Sequence, residues 1–121
     1  MKLGLQNDEV LLVPHDEAWK VEFKRIQEEL LSCAKLTNIQ IEHIGSTSIE
    51  GIRAKPIIDI LVGVENLDTL EKPFFKELEK AGFYRLSVVR PNEIVCAKFV
   101  DDRFQVKTHF IHIVQYKGLK W

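Results

Sequence analysis

The 121 residues predict an α+β domain, a mixed sheet of about five strands with helices packed on it. Three observations carry that expectation. Trp19, Phe23, Ile26, Leu30 and Cys33 fall at i, i+4, i+7, i+11 and i+14, the apolar stripe of a helix lying on another layer. Two β-rich runs, Ile39 to Ile44 and Ile57 to Val64, flank a loop of small and charged residues. After a second helical pattern, three more apolar runs follow through short turns, as in an antiparallel meander.

Taken in order, Met1 to Gly4 is expected to fray, and Glu9 to Val13 to run extended up to Pro14. Asp16 is placed to cap a helix over 16–35, whose outer face carries Lys20, Lys24, Glu28 and Lys35. A stripe like this also suits a partner's groove, but packing on the chain's own sheet is its commoner use. Thr37-Asn38 breaks the helix before the first run. Pro56 opens the second, where a first strand residue need not donate to the ladder. Leu67, Leu70, Phe74, Leu78 and Ala81 mark the second helix, stopped by Gly82. Pro73 lies inside that pattern, so it is expected to open a new helical piece. Strands over 83–89, 94–101 and 104–115 follow, turned at Arg90-Pro91-Asn92-Glu93 and at Asp102-Arg103. Trp121 closes the sequence as an apolar ring with no segment after it, an arrangement that invites association.

The length suits one domain with a single core. An apolar fraction of 45% is ordinary for a globular chain. With 17 basic against 18 acidic residues, no bulk field draws nucleic acid or an anionic membrane. Nucleic acid binding would need a local patch from Arg53, Lys55, Arg85, Arg90, Lys98, Arg103 and Lys107. Cys33 and Cys96 show no metal spacing and read as reduced thiols. No signal-peptide core opens the chain, and Asp59 interrupts its most apolar run, so no membrane partner and a cytoplasmic setting are expected.

The chemistry gathers at Ile41-Glu42-His43-Ile44-Gly45-Ser46-Thr47-Ser48 and Lys55-Pro56-Ile57-Ile58-Asp59-Ile60-Leu61-Val62. A carboxylate amid Ile57, Ile58, Ile60 and Leu61 needs a cation, a hydrogen-bonding shell or a cleft. Gly45 lets the backbone approach closely, and Ser46, Thr47 and Ser48 offer hydroxyls and amides to an anion. A tight turn beside a strand-end aspartate is the plainer alternative. Arg53 and Lys55 are counter-charges for Asp59, holders of a substrate phosphate, or a solvated loop pair. His43 either orients a phosphate or metal, or is a hydrogen-bonded strand end. His109 and His112 point to opposite faces of a regular strand and can share a metal only if a bulge re-aims one. A histidine pair of this kind is more often structural. Serine-nucleophile, Walker A, dinucleotide and zinc-metalloprotease signatures are absent from the sequence.

Those two stretches, together with Thr108-His109-Phe110-Ile111-His112-Ile113, Trp19 and Phe23, resemble the GrpB family, also seen as a domain attached to dephospho-CoA kinases. The resemblance runs from about Val13 to the end. It implies one nucleotidyltransferase-like domain over 1–121, with a helical tail beyond Trp121. Through that superfamily, Gly45 and Ser46 match the turn that clamps a nucleotide's phosphates, and Asp59 matches a metal-binding carboxylate. Arg53 and Lys55 would then be charge stabilisers, with Lys55 and Asp59 the catalytic residues. The implied ligand is a nucleotide or phosphorylated small molecule with a divalent metal, Mg²⁺ or Mn²⁺. One departure weighs on catalysis. Active members carry a second acid two residues after the first, and here that position is Leu61. Two-metal transfer needs several anionic oxygens. His43, His109 and His112 are the candidate replacements, though imidazole favours Zn²⁺ or Mn²⁺ over Mg²⁺. The other reading is a non-catalytic module that binds a nucleotide or CoA-like ligand for a partner enzyme.

Overall fold

The apolar stripe at 19, 23, 26 and 30 becomes the buried face of helix α1, Ala18–Leu31, and it lies on a sheet as expected. The computed structural model describes residues 3–6, 11–33, 39–88, 90–100, 106–118 and 121. Met1, Glu9 and Val10 lie outside the described residues, as do Lys35, the Thr37-Asn38 break, Val89, and the turn at Asp102-Arg103. Asp16 accepts from the Ala18 amide at 2.8 Å, one residue ahead of the helix's own first turn. Arg25 bridges Glu22 and Glu29 along the helix at i, i+3 and i+4 spacing.

The strands in chain order are β1 Leu5–Gln6, β2 Gln40–Ile44, β3 Ile58–Val64, β4 Phe83–Arg85, β5 Ile94–Phe99 and β6 Val106–Gln115. Helix α2, Lys72–Lys80, stands between β3 and β4. Pro73 sits in its first turn, after a separate 3₁₀ turn at Leu67–Thr69, so the proline does open a new piece. The sheet runs β2-β3-β6-β5-β4. Among the described strands only β3 and β6 are parallel, and β4-β5-β6 form the expected meander. The short β1 pairs with the start of β6.

The described ends of the chain are held by specific contacts. Gly4 donates to the Pro56 carbonyl at 2.8 Å and Leu5 is buried, so the chain is held by residue 4 and does not fray that far. Trp121 is half-buried over Gly63 and edge-on to Tyr116, with ring centroids 4.8 Å apart. The glycine supplies the notch: a Cβ there would stand 2.8 Å from the Trp121 ring.

Both helices cover one side of the sheet. Ile41, Ile58, Ile60, Val62, Ile111, Ile113 and Cys96 meet Trp19, Phe23, Ile26, Leu30, Phe74 and Leu78 there. Because side chains alternate along a strand, Asp59, Leu61, Phe110 and His112 face the other side, which no helix among the described residues covers. That uncovered face positions the site. Among the described residues no helix is long and apolar enough to cross a membrane.

Candidate functional site

Asp59 is the second residue of β3, with Ile44 of β2 and Phe110 of β6 as its Cα neighbours. The run around it is apolar because Ile58 and Ile60 point into the core, while the carboxylate points out with 31% of its side chain exposed. Exposure therefore relieves the cost of a charge in this strand, and two neighbours stand close to the carboxylate.

The first neighbour is Gly45. Its backbone, at φ 77° and ψ −155°, enters a region that side-chain-bearing residues avoid. A Cβ there would lie 2.8 Å from Asp59 Oδ2, so only glycine lets the turn close on the carboxylate. The turn then continues as a short 3₁₀ helix, Ser46–Ser48. Its hydroxyls do not all face outward. Thr47 is buried and shares a 2.9 Å hydrogen bond with His43 Nε2, and Ser48 donates to the Gly45 carbonyl at 2.7 Å. Among the described residues the Ser46 hydroxyl has no hydrogen-bond partner.

The second neighbour is His112. Its Nε2–H donates to Asp59 Oδ1 at 3.3 Å and its Nδ1–H to Glu93 Oε1 at 2.9 Å. Donating from both nitrogens requires the imidazolium. The bond to Asp59 raises its pKa above the ordinary value, against the effect of burial, with Glu93 adding to the rise. Arg90 Nη1 stands 3.8 Å from the other Glu93 oxygen. A row of alternating charge thus crosses the uncovered face, from Asp59 through His112 and Glu93 to Arg90.

The other two candidate histidines belong to the helix side. His43 stacks on Phe23 at 4.9 Å, and burial lowers its pKa while the Asp59 charge works the other way. His109 lies buried, donating from Nε2 to Glu22 Oε2 at 2.7 Å, with the Thr108 hydroxyl 2.6 Å from Nδ1. Burial depresses its pKa, opposed by the Glu22 carboxylate. Glu22 in turn is held low by Arg25 before His109. A bulge does exist, where the pairing of Lys98 with His109 gives way to that of Phe99 with Lys107. It falls before both histidines, so His109 and His112 keep opposite faces. The structure therefore brings His112 to Asp59 and places His43 and His109 across the sheet from it.

Arg53 and Lys55 are exposed, and neither pairs with Asp59 among the described residues. Sequence reasoning missed Glu93 and Phe110. The signal for both was the β5–β6 register, which sets Val95 opposite His112 and Ala97 opposite Phe110. Lys107 rises beside them, its Nζ 5.6 Å from the Phe110 ring.

A two-cation centre does not fit this donor set. Leu61 replaces the second acid and the imidazole of His112 is already engaged at both nitrogens. Among the described residues no three His, Cys, Asp or Glu converge as a metal-holding group. A single Mg²⁺ brought by phosphates asks less, since one carboxylate plus phosphate oxygens and water can hold it.

Comparison with known proteins follows the same geometry. The family model described as GrpB protein matches residues 9–121. "Glutamate-rich protein GrpB" of Alkalihalophilus pseudofirmus is 45% identical over 120 residues, covering 98% of this chain and 69% of that protein. A dephospho-CoA kinase of Mycobacterium tuberculosis is 37% identical over 78 residues, covering 62% of this chain but 19% of the kinase. Among solved structures, conserved protein GrpB from Enterococcus faecalis superposes with a TM-score of 0.77 at 28% identity. The match covers 91% of this chain and 64% of that one. The Cid1 poly(U) polymerase, in its MgGTP-bound crystal structure, superposes with a TM-score of 0.55 at 14% identity, over 84% of this chain and 34% of that one. At that identity the likeness is one of fold alone, and the fold is nucleotidyltransferase-like. Sheet order, turn glycine and strand aspartate thus sit in a chain that belongs to the GrpB family.

Proposed function

We propose that this chain binds a nucleotide or other phosphorylated small molecule between the Gly45–Ser46 turn and Asp59, with nucleotidyl transfer slow or absent. The observation that carries the reading is the contact of the turn with the carboxylate, which only a glycine permits. It brings the backbone of the turn that leads to Ser46 against Asp59, a pairing suited to phosphate oxygens and to one cation that they carry. Arg53 and Lys55, exposed on the following loop, would add charge to the same ligand. Leu61 is the reason to separate binding from transfer. Without its acid, the charge that develops on attacking and leaving oxygens lacks a second cation.

The same observation favours a second reading, a non-catalytic module that presents a nucleotide or CoA-like ligand to a partner enzyme. The stretch shared with a dephospho-CoA kinase supports it. Reduced thiols at Cys33 and Cys96 suit a cytoplasmic setting for either.

Calorimetry over a panel of nucleotides with Mg²⁺, Mn²⁺ and Zn²⁺, paired with a pyrophosphate-release assay, tests both. We expect binding that Asp59→Asn weakens by roughly tenfold, the worth of one charge-assisted contact. Rapid Mg²⁺-dependent release by the unmodified chain would make it an enzyme. Binding indifferent to Asp59 would remove the site.

A further inference from the structure

A separate groove of about 560 Å³ opens between the loop that joins β4 to β5 and the 3₁₀ turn at Leu67–Thr69. Its volume is that of a small-molecule site. Arg85, Arg90 and Asn92 line one part of it, Asp68 another, and Leu67 and Ile94 supply apolar surface.

The two arginines are held yet underused. Arg85 lies over the Phe75 ring, 4.9 Å from its centroid, which fixes the guanidinium plane while leaving its N–H edge free. Among the described residues Arg85 has no carboxylate partner. Arg90 has one, Glu93, but only at 3.8 Å from Oε2, and the other oxygen of that carboxylate bonds His112 at 2.9 Å. Structural arginines close on their carboxylates in forked pairs. These two present unspent donors to one groove. The turn carrying Arg90 is shaped by Pro91 and by Asn92, whose φ of 61° is a left-handed value that asparagine tolerates.

We propose that this groove is a second ligand site, for a small molecule bearing a compact oxyanion on a partly apolar body, with Arg85 and Arg90 as the anion-binding pair. Asp68 gives the ligand a direction: the oxyanion lies at the arginines, and a hydroxyl or amine donor faces Asp68. The site is distinct from the Gly45–Asp59 turn. Glu93 links the two, lining the groove while bonded to the histidine that touches Asp59.

Amide chemical shifts of the full chain would be followed by NMR during titration with inorganic pyrophosphate and, separately, with citrate, so that phosphate and carboxylate sources are told apart. The expected result is saturable shifts over 85–94 with at least one of the two. Arg85→Gln and Arg90→Gln should each weaken that binding by roughly tenfold, and Arg85→Lys by less. Both arginines are exposed, and dispersed spectra would show that the variants fold. Asp59→Asn should weaken this binding by less than either arginine variant, which separates it from the turn site; an equal or larger loss would overturn the proposal. Shifts confined to 43–48, no saturable shift with either anion, or undiminished binding by the glutamine variants would overturn the proposal.

Discussion

A methyl group at position 45 would collide with Asp59 and occupy a backbone conformation that alanine resists, so two penalties fall on one substitution. Gly45→Ala should lower stability by about 1–3 kcal/mol from the backbone alone. It should also weaken phosphate-ligand binding, because the turn must withdraw from the carboxylate. Equal urea midpoints and equal affinity in the variant would contradict this. Gly45 and Asp59 were legible from sequence because each residue breaks a local rule, a glycine after a β-rich run and a charge inside one. Glu93 breaks no rule. It reads as one residue of a polar turn, and only the fold shows that its carboxylate reaches His112. The roles considered for Thr47 and His43 were hidden for another reason: the two bond each other on the helix side.

At the scale of the element, β6 holds two histidines in opposed environments, and acid should affect them with opposite sign. Burial holds His109 below its ordinary value of 6.5. The unfolded chain therefore takes up that proton first, so stability tied to the neutral ring is present above 6.5 and is lost as pH falls towards the folded value. His112 is raised above 6.5 by Asp59 and Glu93. Its contribution is fully present below 6.5 and is lost as pH rises through the raised value. Between about pH 8 and pH 5, then, His109→Gln should lose less stability than the parent chain, and His112→Gln should lose more. Denaturant midpoints at the two pH values measure this, and parallel behaviour of the two variants would refute it. The strand and its alternation were legible in the sequence. Its partners were not, since neither parallel pairing with β3 nor the docking of Glu22 on His109 leaves a local trace.

For the whole molecule, one face of the sheet is sealed by two helices, and Trp121 lies on the other over Gly63. Gly63→Ala would push a Cβ to within 2.9 Å of two Trp121 ring atoms and 3.1 Å of Tyr116. We expect Trp121 to lift away, with a loss of about 1–3 kcal/mol and a red shift in fluorescence. Trp19, buried in the core, supplies the constant part of that signal. An unshifted spectrum would mean the ring does not rest on Gly63. Fold class, helix α1 and the meander were legible because burial on a sheet imposes period 2 on strands and 3.6 on helices. The tie of Leu5 and Gln6 to β6 was not, since two residues carry no period. The position of β6 has a consequence for synthesis. It is the last in chain order of the described strands and the one that joins β1, β3 and β5. Until residues 106–115 emerge, the β2–β3 and β4–β5 hairpins have no common sheet. Closure of the sheet must therefore wait for β6, which joins the two hairpins through its pairings with β3 and β5.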